Sequence, residues 1–531
     1  MLLCRGIEVE ELTICELQQH LTTASFTSQD LTQCYLNRMD VLNPCIKAVI
    51  ETNPEALSIA IDLDTERSNG VVRSMLHGIP FLVKDNIATK DGMQTTAGCF
   101  ALIGTRVPAD ADVVAQLRAA GCILLGKANL SEWASMRSSY YSEGYSSRGG
   151  QNRNPYNLAE HPGGSSSGSA SAVAANFCAF SIGTETDGSL MFPADRCGLV
   201  SIKPTVGLTS TTGVIPEAKS LDTVGPFGRS VEDVALVLEV LADPNSRPSS
   251  LNPDYSSLLA SKEMLINARF GMPMNRVWNS ARDNAEQAAE YEALIELVSK
   301  IKDTGAKVYE VEFPSAEDII PPDGWDWDYA EGYTGSSLSE FQVVKTEFYH
   351  GLKEYLTGLE HNESSILTLE DIVKYNIDHT HTEGGVPGTH LAWPTGQDNF
   401  DRCLEAKNES EEQYTKAFEY IRLKSREQGI DAALTHSEGD LDGLIVPISV
   451  DGGVSVSIAA KAGYPMITVP VGVDGKGVPF GIGLIQTAFR EDLLIKYGSA
   501  IEDLTGPRPE PTYLNFYASN YTYIGTPPVS S

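Results

Sequence analysis

Residues 161–194 read HPGGSSSGSASAVAANFCAFSIGTETDGSLMFPA. Two knots of glycine and serine, GGSSSGS and TETDGS, flank a run of small apolar residues. Glycine and serine in a single cluster ordinarily mark a solvated linker. A linker has no reason to bracket a core element, and the run between the knots reads as a helix followed by a strand. Two readings therefore compete: a linker or helix cap at each knot, or two parts of one active site.

The flanking sequence supplies the frame. HGIPFLVKDNI (77–87) is a short apolar strand ending on Lys84. In DADVVAQLRAAG (110–121) Val113, Val114, Leu117 and Ala120 share one helical face, and Gly121 closes the helix. CILLGKANL (122–130) is the next strand. Strand, helix and strand in succession predict an α/β sheet covered on both faces. Residues 8–42 read as helical, with Thr27 or Ser28 as an N-cap. Downstream, SVEDVALVLEVLAD (230–243) is a helical pattern, followed by a proline- and serine-rich break at 244–253. A second helical stretch covers 408–428, and AALTHS, GLIVPIS, PMITVPVGV and FGIGLIQ read as strands rejoining the main sheet.

The expected organisation is one large α/β domain around a mixed β-sheet flanked by helices. Residues 1–70 form a helical segment packed on the core, 71–243 a catalytic core, 244–410 a peripheral region at the substrate entrance, and 411–531 the rest of the core sheet.

Composition narrows the function. The 531 residues carry 39 Lys plus Arg against 71 Asp plus Glu, a formal net charge of −32. Neutralising phosphates needs clustered cations, so nucleic acid is disfavoured as a partner, as is an anionic membrane surface. No apolar run approaches the ~20 residues of a spanning helix, and the N-terminal stretch is too acidic for a secretory signal. The nine cysteines form no CxxC pair, which fits reduced thiols in a cytoplasmic protein. His379 and His381 lack nearby matched ligands, and no metal site is expected.

Three chemistries suit the serines. A phosphate cradle needs a lysine after Gly-x4-Gly, and neither Gly163–Gly168 nor Gly183–Gly188 has one. A nucleophile elbow matches Gly164-Ser-Ser166-Ser-Gly168, but turn chemistry rather than a strand precedes it. The third uses a base other than histidine. Lys84 ends an apolar strand, where burial depresses a lysine pKa and a neutral amine can accept a serine proton. An ion pair with Asp85 is the structural alternative for the same lysine.

With these residues in view, the chain resembles the amidase signature hydrolases. GIPFLVKDN, NLSEWASMRS, RGGQNRNPY, PGGSSSGSASAVAAN, IGTETDGS, IKPTVGLTSTTGVIP and AKAGYPMITVPVG all look like that family's motifs, in order and over nearly the whole chain. The resemblance implies an amide-bond hydrolase without metal or organic cofactor. It assigns Lys84 as the base, Ser165 as a bridging serine after a cis peptide, and Ser189 as the nucleophile. The backbone N–H groups of Thr186, Asp187, Gly188 and Ser189 would form the oxyanion hole. The substrate would be a small-molecule or peptide amide, and the protein a monomer or homodimer. The Asp-Gly-Ser ending looks more like the peptide-amidase and simple-amidase branch than the subunit that forms amidated tRNA. The rivals are a catalytically silent scaffold and an amidotransferase-type subunit that transfers ammonia with a partner chain.

Several residues depart from the pattern or stay open. Met191 and Phe192 are expected to narrow the pocket. Asp195 and Arg196 stand where small residues are usual, and a distortion there would disturb the oxyanion loop. Ser166 and Ser167 are expected to be structural, and Arg148 and Asn152 to brace the serine loop. Asp187 either shapes the oxyanion loop or caps it. The GWDWDY aromatics (324–329) either line a specificity wall or pack a satellite core.

Overall fold

The computed structural model describes residues 2–243, 246, 254–362, 365–520 and 522–524. The N-terminal region expected to be helical, with an N-cap at Thr27 or Ser28, holds two helices, α1 (Ile14–Thr22) and α2 (Ser28–Ile46). Each starts with a capping box, Thr13 with Glu16 and Thr27 with Asp30, so the N-cap of α2 is Thr27. The chain then enters β1 (Val49–Thr52), which pairs antiparallel with the strand Ile123–Ala128 and forms one edge of the main sheet. The segment 1–70 thus contributes a strand as well as helices.

The central strands are β2 (Pro80–Lys84), β3 (Ile123–Ala128), β4 (Phe180–Glu185), β5 (Val200–Lys203) and β6 (Thr223–Gly228). All five are buried along their whole length. Strands covered on both faces read as continuous apolar runs rather than alternating ones, as PFLVK does. The helix α3 (Asp112–Ala119) returns the chain from β2 to β3, and α4 (Ser167–Ala174) leads into β4. The short α5 (Met191–Arg196) follows β4, and α6 (Val231–Leu241) follows β6. The break at 244–253 lies outside the described residues except for Ser246.

The region 244–410, expected to be peripheral, supplies two strands of the same sheet. These are β7 (Arg269–Pro273) and β8 (Lys307–Val311), joined through α7 (Ala288–Asp303). The helices α8 (Glu340–Thr357) and α9 (Glu411–Ser425) come next. AALTHS is not a strand: Asp431–Leu434 is a single helical turn and the chain then loops. Its alanines favour the helix that continues from α9, and no β-branched residue lies within that turn. Then come β9 (Gly443–Pro447), α10 (Val454–Ala462), β10 (Met466–Val473) and β11 (Pro479–Ile485). The three runs GLIVPIS, PMITVPVGV and FGIGLIQ do rejoin the sheet.

The eleven strands lie in the order β8-β7-β9-β11-β10-β5-β6-β4-β2-β3-β1, with parallel pairs towards both ends and antiparallel pairs between. The main apolar core covers both faces of this sheet. A second, smaller core lies apart from it and joins Phe341, Val344, Phe348 and Leu352 of α8 to Phe400 and to Ile421 of α9. For the site the decisive pair is β2 beside β4. They run parallel with Val83 opposite Ile182, so Lys84 and Glu185 leave the sheet at the same edge. The carboxyl edge of parallel strands is where open α/β sheets bind ligands.

Candidate active site

Lys84 ends β2 with no exposed surface. Its Nζ lies 2.8 Å from Ser165 Oγ, 2.9 Å from Thr184 Oγ1 and 3.2 Å from the Thr184 carbonyl oxygen. Asn86 Nδ2 donates to the same Thr184 hydroxyl at 3.0 Å. Burial pulls Lys84 down to about 7, against the opposing pull of Glu217, Asp222, Glu185 and Glu143. A neutral amine has two hydrogens and one lone pair. The two hydrogens match the two Thr184 oxygens, which leaves the lone pair for the Ser165 hydroxyl. Asp85 is not the partner of Lys84: its Oδ2 accepts from Thr96 Oγ1 and from the Gly98 N–H.

Burial alone does not single out this lysine. Lys127 and Lys203 are equally buried and each is lowered to about 8. Lys127 donates to the Ile87 carbonyl and Thr95, and Lys203 to the Pro204 carbonyl. Lys84 differs because its first partner extends the chain of hydrogen bonds. Ser165 Oγ lies 2.9 Å from Ser189 Oγ in turn, and with its one hydrogen on the Lys84 lone pair it accepts that of Ser189.

Ser165 sits just ahead of α4, after a cis Gly164–Ser165 peptide bond. A Cβ on Gly164 would fall 1.9 Å from Glu143 Oε1 and 2.6 Å from Ser131 Oγ, so only glycine fits. Ser166 is tied to β4, its Oγ donating to the Thr184 carbonyl and accepting from the Thr184 N–H. Ser167 lacks the backbone hydrogen bond expected of a structural serine, since its buried Oγ has no partner among the described residues.

Ser189 closes the turn that leaves β4. Gly188 takes φ +80°, and a Cβ there would meet the Phe192 ring at 2.2 Å. Glu185 holds the far side of the turn, its Oε2 accepting the Leu190 and Met191 N–H groups at 2.7 and 3.1 Å. Among the described residues no protein acceptor takes the N–H of Thr186, Asp187, Gly188 or Ser189. Four consecutive unspent donors beside a serine hydroxyl can receive a developing oxyanion.

The two serines open on a cavity of about 640 Å³. Tyr141, Glu143, Glu217, Phe192, Trp325 and Trp327 are among its walls. Of the GWDWDY aromatics, both tryptophans therefore face the cavity. Phe192 narrows it as expected, whereas Met191 is buried away from it.

A matching family model describes residues 30–495 as amidase. The chain belongs to the amidase family. It is 47% identical to a putative amidase of Schizosaccharomyces pombe over 97% of this chain and 89% of that one. It superposes on a peptide amidase from Stenotrophomonas maltophilia with a TM-score of 0.81 at 36% identity, covering 95% of this chain and 99% of the other. A glutamyl-tRNA(Gln) amidotransferase chain of Microcystis aeruginosa is 30% identical over 95% of this chain and its whole length. The family's reaction class, hydrolysis of an amide bond, is that of this enzyme. No helix among the described residues is long and apolar enough to cross a membrane.

The departures from the family pattern have structural places in this amidase. Asp195 is buried, accepting from the Gly481 N–H at 2.6 Å and from Ser449 Oγ at 2.5 Å. Arg196 Nε donates to the His161 carbonyl at 3.0 Å. The pair ties α5 to its neighbours, and among the described residues the N–H groups of 186–189 still have no protein acceptor. Asn152 spans from the Ile46 carbonyl to Ser171 on α4, while Arg148 braces Glu51 and Thr96 rather than the serine loop.

Asp187 proves to be a junction. Its Oδ2 accepts from Trp325 Nε1 and Ser457 Oγ, both at 2.8 Å, and lies 3.7 Å from Lys461 Nζ. Lys461 is fully buried and pairs with the equally buried Glu340 at 2.9 Å. Sequence reasoning missed Thr184, Glu217, Lys461 and Glu340. Lys461 carried the same signal as Lys84, a lone lysine in an apolar run, IAAKAG. Thr184 was legible by strand alternation. Glu340 reads as an ordinary acid in the first turn of a helix, so nothing local marked it.

Proposed function

We propose that this amidase uses Ser189 as nucleophile, Ser165 as proton bridge and Lys84 as base. One observation carries the reading: an unbroken hydrogen-bond chain from Lys84 Nζ through Ser165 Oγ to Ser189 Oγ, at 2.8 and 2.9 Å, that ends in the cavity. Neutral Lys84 takes the Ser165 proton while Ser165 takes that of Ser189, whose Oγ bonds to the amide carbonyl carbon. The carbonyl oxygen becomes an oxyanion facing the N–H groups of Thr186, Asp187, Gly188 and Ser189. A single donor of this kind is worth about 3–4 kcal/mol. As the C–N bond breaks, the proton held at Lys84 returns through Ser165 to the leaving nitrogen. Water then attacks the acyl-enzyme, the relay again takes a proton, and Ser189 regains its own as the carboxylic acid leaves.

The substrate class that fits is a small-molecule or peptide amide presented between the serine shelf and the Trp325–Trp327 wall. A mass-spectrometric screen of an amide library, wild type against Ser189→Ala, tests the reading. Ammonia or amine release by the wild type alone supports it. Equal turnover by both proteins, or no labelling of the wild type by a fluorophosphonate, would sink it. Release of ammonia by the purified chain unaided also argues against a subunit that needs a partner to act.

A further inference from the structure

Thr186, on the oxyanion turn, has a hydrogen-bond problem that its neighbours must solve. Its Oγ1 lies 3.0 Å from Glu217 Oε2 and 2.6 Å from Asp222 Oδ1. A hydroxyl has one hydrogen and can donate to only one of these oxygens. The other carboxyl must supply its own proton. Asp222 also accepts from two backbone N–H groups, Glu217 N at Oδ2 and Ala218 N at Oδ1, both at 3.0 Å. Those donors favour the charged form of Asp222. Glu217 has no such support, so Thr186 donates to Asp222 and Glu217 donates to Thr186.

The electrostatics agree. Burial, then the charge of Asp222, pushes the Glu217 carboxyl up to about 8. The titratable groups facing it are Asp222 on its own loop, Asp187 on the oxyanion turn, Lys84 on β2, Tyr141, and Cys403. Glu217 is the largest single charge opposing the depressed pKa of Lys84. A neutral acid here therefore keeps the base neutral, whereas a carboxylate would draw a proton onto it.

The second oxygen of Glu217 is uncommitted. Glu217 lines the cavity together with Ser165, Thr186 and Ser189, and among the described residues its Oε1 has no donor. We propose that Glu217 determines specificity as a neutral carboxylic acid, its Oε2–H holding Thr186 and its Oε1 accepting an N–H of the scissile carboxamide. The proposal rests on the Ser189–Ser165–Lys84 reading of the site. It selects substrates with an N–H on the reacting group, primary carboxamides foremost, over esters of the same acid, which have no hydrogen to offer.

The test compares kcat/KM for a primary carboxamide and for the methyl ester of the same acid in wild type, Glu217→Gln and Glu217→Leu. The glutamine carboxamide supplies the same donor and acceptor as a protonated acid. Its amide-to-ester ratio is expected to stay within about twofold of wild type, while leucine lowers the ratio about tenfold, the scale of one lost hydrogen bond. An unmoved ratio in Glu217→Leu, or a glutamine variant that falls with leucine, overturns the proposal. Should circular dichroism show Glu217→Leu to be misfolded, Glu217→Ala replaces it with the same expectation. An infrared difference spectrum of wild type minus Glu217→Gln at pH 7 reads the protonation state independently. A protonated-carboxyl stretch is expected, and its absence overturns the neutral-acid assignment. Loss of fluorophosphonate labelling in Ser189→Ala, with the ratio unmoved in Glu217→Leu, would leave the active-site reading standing and remove only this inference.

Discussion

The cavity has two unlike sides. One is the shelf at the carboxyl edge of β2 and β4, where Lys84, Ser165 and Ser189 are almost wholly buried. The other is the wall formed by residues 325–328 and Arg402, backed by the second apolar core rather than by the sheet. Lys84, Ser165 and Ser189 are placed first by main-chain geometry, which is strand register, a helix start and a tight turn, with the Glu185 and Asp187 carboxylates tying the turn. The wall is held by side chains. Trp327 packs against Phe341 with ring centroids 4.9 Å apart, Arg402 lies over that same phenylalanine at 3.9 Å, and Arg402 pairs with Asp328. Chemistry that tolerates little displacement is carried by the sheet, and the face that meets the variable part of a substrate is carried by a separable core. That division predicts different kinds of damage on the two sides.

The largest effect belongs to the shelf. Ser189→Ala should lower kcat by about 10⁴-fold or more, because one member of a nucleophile–base unit is removed. Its melting temperature should stay near wild type, since a hydroxyl is lost and no apolar contact. Measured turnover close to wild type would place the nucleophile elsewhere. Asp187→Ala comes next. It deletes the side chain that ties the oxyanion turn to Trp325, Ser457 and Lys461. A fall of about 10²-fold in kcat is expected, the scale of one misplaced oxyanion donor. Lys461 would lose the carboxylate 3.7 Å away but keep Glu340 at 2.9 Å, so the loss in chemical denaturation should be about 1–2 kcal/mol, that of the deleted hydrogen bonds. Retention of kcat with lost stability would make Asp187 a structural residue only.

The pH profile probes the shelf without mutation. In the proposed relay the active form of Lys84 is the neutral amine, and burial brings its pKa down to about 7. Below that value the lysine is protonated and cannot take the Ser165 proton. The quantity kcat/KM should therefore rise about tenfold per unit as pH climbs towards 7, then level off. A profile flat from pH 5 to 7 would exclude Lys84 as the titrating base. On the wall, Trp327→Ala should raise KM by about tenfold with kcat nearly unchanged, as expected for binding shared by ground and transition states. Fluorophosphonate labelling of Ser189 should proceed at the wild-type rate. A kcat defect in this variant would blur the distinction between the two sides.

The same division explains what the amino-acid sequence made legible. The shelf comes from three short segments whose motifs occur in order, and Lys84 stood out because an apolar strand ends on a charge. The parallel pairing of β2 and β4 then brings its members to one edge with no further information. The wall was only half legible. GWDWDY was conspicuous as a cluster, but its choice between cavity and satellite core depends on where α8 and Phe400 pack. Glu217 and Asp222 lie just beyond the motif IKPTVGLTSTTGVIP, which ends at Pro216, and the one-hydrogen conflict at Thr186 appears only when three side chains meet. The edge strand β8 and its neighbour β7 were missed because the tryptophan-rich loop between them and β9 dominated the composition of that region.

The narrowest test concerns the single bond by which wall and shelf touch at the oxyanion turn. Trp325 Nε1 donates to Asp187 Oδ2 at 2.8 Å, although the indole is 39% exposed. Trp325→Phe keeps an aromatic ring at the cavity mouth and removes that donor. Asp187 would still accept from Ser457 and face Lys461, so the turn should remain ordered. The expected change is a fall of about two- to fivefold in kcat, the scale of one partly exposed hydrogen bond to a carboxylate, with KM little altered. If kcat instead falls as far as in Asp187→Ala, the wall positions the oxyanion turn, and the two sides form one catalytic unit rather than two. If KM alone moves, the bond serves substrate binding, and the shelf is self-sufficient.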